Sequence, residues 1–429
     1  MKTYLKNSVI YQVYTRNFTK EGTFSALKEK LDYIKNLKVD ILYLLPISPI
    51  GKVGRKGDLG SPYSISDYTK INPELGTLED FKSLIKATHE HNMKIMIDIV
   101  FNHTSRDSYI AKTHPEWMYH NKEGKMANKV GDWSDVYDLD YSNPELIKYL
   151  VDVIEYYCSI GVDGFRFDVA SLLPKEFYIA LKKMLDEKYP STVLLAEAIH
   201  PFFTDFARSL DLNPLSDGEL SLYAFDMLYQ YSSISLLSDY LNTKEIRYLD
   251  MYKIATLLEA TLSTKDTLRV RGLENHDQKR LYEYTHDFTI LRNLAASQAF
   301  MKGPMFIYNG LETKADHLEN LFTKDTMDSS IDEAWFNFIN RLINFKKEKL
   351  NLTLNTTTPL LTKNETLAFK NTYEDNKVAY GLFSLTGKEE LIEDSHLDNG
   401  TYIDYLTKNE YKITNNSIRV KEPLILIKK

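Results

Sequence analysis

One alternation constrains the fold of this 429-residue chain more than any other feature. Short apolar runs recur along most of its length, with patterns of helical period between them. The runs are 9–14, 41–46, 95–100, 162–169, 193–198, 222–227, 268–273 and 304–308. Runs this short, apolar on both faces, suit buried parallel strands. About eight strand–helix repeats imply a (β/α)8 TIM barrel, with an open doubly wound sheet as the alternative. Helix signals agree with that spacing. Thr77 is placed to cap a helix with Asp80 three residues on, and Leu78, Phe81, Leu84 and Ile85 form its apolar stripe. Asn143 and Pro144 read as N-cap and first helical residue. Leu146, Leu150, Val153, Ile154 and Tyr157 continue that helix until it stops near Gly161.

Two departures define the domains. The segment after His103 is far longer than the usual ~2–6 residue βα loop. It carries Trp117, Asp132, Trp133, Asp135, Tyr137 and Asp138, and reads as a small inserted domain over 104–143. Its aromatics could line a ligand or pack the insert. The barrel then takes 1–103 and 144–350. Beyond it, 351–358 is polar and rich in Asn and Thr, like a linker. Alternating segments follow at 367–369, 378–385, 402–405 and 418–427, separated by turn residues such as Asp375-Asn376 and Lys408-Asn409. They predict an antiparallel β-sandwich domain over 351–429.

Composition narrows the partners. The net charge is −7, from 53 basic and 60 acidic residues, with no basic run to bind nucleic acid. No stretch approaches the ~18 uninterrupted apolar residues that span a bilayer. Residues 1–9 have no apolar core of signal-peptide length, and Cys158 is the only cysteine. A disulfide-free cytoplasmic protein with a neutral ligand is the expectation, with its oligomeric state open.

Polar residues cluster where the strands end. In a parallel barrel those ends face the active site. The third strand ends at Asp98 and runs on to Asn102-His103, the fourth ends Arg166-Phe-Asp168, the fifth at Glu197, and the seventh at Glu274-Asn-His276-Asp277. Tyr63 lies in the loop after the second. Converging carboxylates suit glycoside cleavage, which needs one ionised carboxylate and one protonated carboxyl group. Arg166 shares a strand face with Asp168 and could hold it ionised. Glu197 follows Leu194-Leu195-Ala196, with no Lys or Arg within several positions, so an apolar setting favouring its protonated form is expected. Each residue also has a plain structural reading: an Asp at a strand end can cap the next helix, a histidine can be a satisfied core residue, and this chain has 30 tyrosines. Four such clusters in order move the balance toward catalysis.

Those four blocks, Asp98-Ile-Val-Phe-Asn-His103, Gly164-Phe-Arg-Phe-Asp168, Ala196-Glu-Ala198 and Glu274-Asn-His-Asp277, resemble the α-amylase family of glycoside hydrolases. Val9-Ile-Tyr-Gln-Val-Tyr14, Gly60-Ser-Pro-Tyr63 and Asp138-Leu-Asp-Tyr-Ser-Asn-Pro144 add to the resemblance, which covers essentially the whole chain. It implies Asp168 as nucleophile and Glu197 as acid, then base. It implies Asp277 as stabiliser of the distorted sugar ring and Arg166 as the group that orients Asp168. His103 and His276 would bind sugar hydroxyls, Tyr63 would be the stacking floor, and Asp98 would hold the rim. Double displacement would then retain the α configuration, with carboxyl groups ~5–5.5 Å apart.

The sequence also departs from the family. Val169-Ala-Ser-Leu172 stands where many extracellular members carry a Lys-His pair that supports a calcium site. Asn102 matches one usual calcium ligand, and Asp132, Asp135 or Asp138 could add oxygens. Without the pair the balance is against a structural Ca2+, and no cofactor is required. The expected substrate is an α-1,4-linked malto-oligosaccharide from starch or glycogen. An α-glucanotransferase or α-1,6-glucosidase of the same family is the alternative, and a non-catalytic glucan-binding protein is a further one that the intact acidic set argues against.

Overall fold

The computed structural model describes residues 2–429 apart from 131, 132, 260, 265, 328 and 329, so Asp132 lies outside the described residues. Eight strands build the barrel: β1 (Val9–Val13), β2 (Ile41–Leu44), β3 (Lys94–Ile99), β4 (Gly164–Phe167), β5 (Val193–Ala196), β6 (Met227–Tyr229), β7 (Leu268–Val270) and β8 (Met305–Tyr308). They form one sheet in the order β8-β1-β2-β3-β4-β5-β6-β7, and a parallel bridge between Arg271 and Met305 joins its ends. The chain is a (β/α)8 barrel with a C-terminal antiparallel sheet domain. Every strand residue is buried except Lys94, which is half-buried. That burial explains the continuous apolar runs, since helices or side-chain layers cover both faces.

The chain divides into two compact units. One holds 11–229 with 319–327, and the other holds 1–10, 230–318 and 328–429. In the first, the helix Leu78–Glu90 opens with the Thr77/Asp80 capping box, and Pro144–Ser159 opens on the Asn143 cap. The latter helix ends before Gly161, whose φ of +104° a side chain would strain. Parallel register sets Asp98 opposite Arg166, and Arg166 opposite Leu195. The segment after β3 pairs His103–Ser105 with Val136–Asp138 in a short antiparallel ladder. Trp117 is buried there, stacked on His114 at 3.9 Å and tilted against Tyr149, so it packs the insert.

In the second unit, the chain from Leu354 onward forms a six-stranded antiparallel sheet. Its strands are β9 (Leu354–Leu360), β10 (Thr366–Tyr373), β11 (Val378–Ser384), β13 (Gly400–Asp404), β14 (Glu410–Ile413) and β16 (Leu424–Lys428), in the order β9-β10-β11-β16-β13-β14. A ribbon of β12 (Glu390–Glu393) and β15 (Ser417–Val420) shares its core through Ile392, Leu397 and Ile418 against Tyr380 and Leu382.

Three sequence expectations need correction. The apolar run 222–227 is mostly the end of the helix Asp217–Tyr223, and the strand starts only at Met227. Leu222 points outward at 68% exposure. The polar stretch 351–358 is largely the edge strand β9, paired along β10. Its exposed face needs no apolar residues, which is why it reads as a linker. The run 418–427 is two strands, β15 and β16, in different sheets.

Candidate active site

The site is built around one guanidinium. Arg166 is fully buried on β4, where its Nη1 donates to Asp98 Oδ1 at 2.8 Å and to Asp168 Oδ1 at 2.9 Å. Its Nη2 lies 3.0 Å from Glu197 Oε2. The register of β3, β4 and β5 causes this convergence, because Arg166 stands between Asp98 and the end of β5. Burial works against the Arg166 charge, but Asp98 and Glu197 hold its pKa well above the ordinary arginine value. A buried arginine with several carboxylates around it stays cationic, and its fork fixes their orientation.

Around this centre the rim is tied down. Tyr43 and Tyr63 hydroxyls both donate to Asp98 Oδ2, at 2.7 and 3.0 Å. The Arg166 guanidinium also faces the rings of Tyr63 and Tyr229, at 6.0 and 5.6 Å from their centroids. Directly after Asp168, Val169 adopts the left-handed conformation at φ 42°, ψ 42°. A β-branched residue is strained there. The kink turns the Val169 N–H onto Glu197 Oε2 at 2.7 Å. Backbone bonds close the junction, from Glu197 N to Phe167 O and from Ala170 N to Glu197 O.

Glu197 therefore departs from the expected apolar setting. The cation that meets it is distant in sequence and arrives through strand pairing, which local sequence context does not reveal. Asp168 is nine-tenths buried, within reach of the same cation, as its spacing from Arg166 implies.

His103 is buried at the start of the insert ladder, and its carbonyl accepts from the Tyr68 hydroxyl at 2.8 Å. Burial pushes its imidazole down to about 4, against the opposing pull of Asp135, so the ring is neutral near pH 7. Trp133 tilts against it with ring centroids 5.2 Å apart, and Phe203 stacks on Trp133 at 6.4 Å. Thus Tyr63, Asp98, His103, Arg166, Asp168 and Glu197 all lie within one compact unit. Tyr43 and Tyr229 join them unforeseen, since nothing in their local sequence separates them from core tyrosines.

His276 and Asp277 lie beyond β7, in the other unit. His276 is buried, and its Nε2 lies 2.9 Å from Asp277 Oδ2, while Asp277 is half-exposed. Their loop is pinned from beneath. Asn275 Oδ1 accepts from Asp277 N at 2.9 Å, and Arg280 Nη1 donates to Glu274 at 2.9 Å.

The calcium candidates are only partly engaged: one oxygen each of Asp135 and Asp138 is buried with no hydrogen-bond partner among the described residues, and the contact of Asn102 is through its amide nitrogen. Asn102 Nδ2 lies 3.3 Å from His103 Nδ1, Asp135 Oδ1 pairs with Lys56 at 3.3 Å, and Asp138 Oδ2 accepts from Lys129 N at 2.8 Å. Burial raises the Asp138 carboxyl to about 6, against the Lys129 N–H, which lowers it. Among the described residues, no three His, Cys, Asp or Glu side chains are placed to share a metal ion. Also among the described residues, no helix is long and apolar enough to cross a membrane.

Comparison with known proteins decides the family to which this geometry belongs. The family model of the α-amylase catalytic domain matches residues 12–116 and 107–347. The chain belongs to the α-amylase family. An α-amylase from Lactobacillus plantarum superposes with a TM-score of 0.90, at 37% identity and 99% coverage of both chains. A noncanonic maltogenic α-amylase from Thermotoga neapolitana gives 0.85 at 27% identity, again over 99% of both chains. The trehalose-6-phosphate hydrolase of Bacillus subtilis is 34% identical over 370 residues, covering 72% of this chain. The chain spans 64% of that hydrolase and 64% of α-amylase 3 from Dictyoglomus thermophilum, less than two thirds of either.

Proposed function

We propose that this α-amylase family member is a retaining glycoside hydrolase that cleaves α-1,4-glucosidic bonds in malto-oligosaccharides. The observation that carries the reading is Arg166 holding Asp168 and Glu197 through two nitrogens of one guanidinium. Retention needs two carboxyl groups ~5–5.5 Å apart, and a shared guanidinium suits such closeness. In the first step Asp168 attacks the anomeric carbon while Glu197 protonates the departing oxygen. Glu197 Oε2 is occupied by Val169 N–H and Arg166, so the transferable proton rides on Oε1. In the second step Glu197 takes a proton from a water whose oxygen attacks the anomeric carbon, and the bond to Asp168 breaks to release the sugar and restore the Asp168 carboxylate.

The remaining residues serve binding. Tyr63, held by Asp98, offers its ring face to the sugar, and neutral His103 offers a hydrogen bond to a hydroxyl. His276 and Asp277 take the hydroxyl-binding and ring-stabilising roles of their family block.

Incubation with maltohexaose, with products resolved by length, tests the reading. Products only shorter than the substrate are expected. Mixed longer and shorter products would move the assignment to an α-glucanotransferase. Conversion of isomaltose but not maltohexaose would move it to α-1,6 cleavage. Asp168→Asn and Glu197→Gln should each lower kcat by at least ~10³-fold with an unchanged unfolding midpoint. Wild-type rates in both would overturn the catalytic assignment.

A further inference from the structure

The unit formed by 1–10, 230–318 and 328–429 encloses a cavity of about 260 Å3 that the proposed chemistry does not use. It lies where β7 begins, whereas Glu274 to Asp277 follow the other end of that strand. Three cationic side chains line it, Arg269, Arg271 and Lys302, of which Arg271 is committed within the protein, its Nη1 donating to Gln230 Oε1 at 2.9 Å and its Nε to the Lys302 carbonyl at 3.0 Å. Arg269 and Arg271 are two residues apart on an extended strand, so they share a face. Glu259 is the one carboxylate on the wall among the described residues, and it is committed: Oε2 to Arg271 at 2.8 Å, Oε1 to the Ser233 hydroxyl at 2.7 Å. Hydroxyls supply much of the other polar lining, Thr267, Thr356 and Thr357 among them, with that of Thr357 already donating to Asn371 Oδ1 at 2.6 Å.

The backbone is shaped to bring these cations together. Gly303 has φ +118°, and a Cβ there would stand 1.9 Å from the Arg269 carbonyl oxygen. Glycine alone lets the Lys302 loop lie against β7. The Lys302 N–H then donates to Thr357 Oγ1 at 2.8 Å, which ties the loop to β9. Burial lowers the Lys302 ammonium pKa, and the charges of Lys6 and Arg271 lower it further, against Asp266. With the Arg271 charge met by Glu259, the charges of Arg269 and Lys302 share a partly desolvated pocket, an arrangement that an anion relieves.

We propose that this cavity binds the phosphoryl group of a small ligand, either inorganic phosphate or a sugar phosphate. The Arg269 guanidinium, the Lys302 ammonium and the Thr356 hydroxyl match the acceptor oxygens of a phosphoryl group. The volume lies just below the roughly 300–1,000 Å3 of pockets for drug-sized ligands, which suits a phosphate with at most one sugar ring and excludes an oligosaccharide. Bound there, the ligand bridges β7, the Lys302 loop and β9, and stabilises the fold by mass action.

Calorimetric titration of the full chain with inorganic phosphate and with glucose 1-phosphate tests this, with glucose and chloride at matched ionic strength as controls. It needs no catalytic turnover, so its failure is separate from failure of the glycosidase reading. Saturable binding of either phosphate and of neither control is expected, weakened about tenfold or more in Lys302→Gln and Thr356→Val. Tighter binding of glucose 1-phosphate identifies a sugar phosphate as the ligand, and equal binding identifies phosphate itself. Both variants should keep wild-type maltohexaose cleavage in phosphate-free buffer. Absence of saturable phosphate binding at tens of millimolar, or equal affinity in wild type and both variants, would overturn the proposal.

Discussion

Arg166 and His103 carry the most specific consequences at the scale of single residues. Arg166 touches Asp98, Asp168 and Glu197 through two separate nitrogens. Lysine has one charged nitrogen and cannot reproduce that fork. Arg166→Lys should therefore lower kcat steeply and also lose about 3–5 kcal/mol of unfolding free energy, because buried carboxylates are left poorly compensated. Urea denaturation beside steady-state kinetics checks both, and retention of wild-type stability would show that Asp98 holds the rim without it. For His103, burial depresses the folded pKa to about 4, from an ordinary histidine value of 6.5. The unfolded chain thus takes up the proton first as pH falls. The stabilising contribution is fully present above about 6.5 and is lost between 6.5 and 4, up to ~3 kcal/mol. Asp138, raised to about 6, works in the opposite sense over an overlapping range. The difference between wild type and His103→Asn isolates the histidine, and equal pH slopes in the two would refute it. The grouping of Asp168, Arg166 and His103 was legible because they stand at or shortly after barrel-strand ends in blocks of characteristic order. The ionic setting of Glu197 was not, since its cation comes from the neighbouring strand.

Elements were legible where burial is two-sided. β1 to β5 are buried on both faces, and their apolar runs mark them within a residue or two. β6 was not, because an apolar stretch at the end of the preceding helix masks a three-residue strand. The Ser216/Glu219 capping box was the signal that assigns those residues to a helix. β9 escaped for the converse reason: an edge strand can be polar and still pair. The turn after β4 is an element whose conformation the sequence conceals, since valine disfavours the left-handed region it occupies. Val169→Asn should relieve that strain and raise the unfolding free energy by roughly 0.5–1 kcal/mol, while the N–H to Glu197 is kept. A denaturation curve showing a loss would mean that packing of the half-buried valine outweighs its backbone strain.

At the scale of the whole molecule, the barrel and its family were legible from four ordered blocks, whereas the chain's long-range partners were not. Residues 319–327 belong to the compact unit of 11–229, where the Leu321 carbonyl accepts from Tyr14 and Arg16. Periodicity reports a segment's own faces and is silent about a partner some three hundred residues away. The central claim is that Asp168 and Glu197 act in double displacement, and the anomeric form of the first product tests it most directly. Proton NMR during early cleavage of maltohexaose should show the α-anomer of the newly formed reducing end first, with the β-anomer growing in only at the rate of mutarotation. Initial release of the β-anomer would contradict the account, because it would mean a single inverting displacement by water with no bond to Asp168.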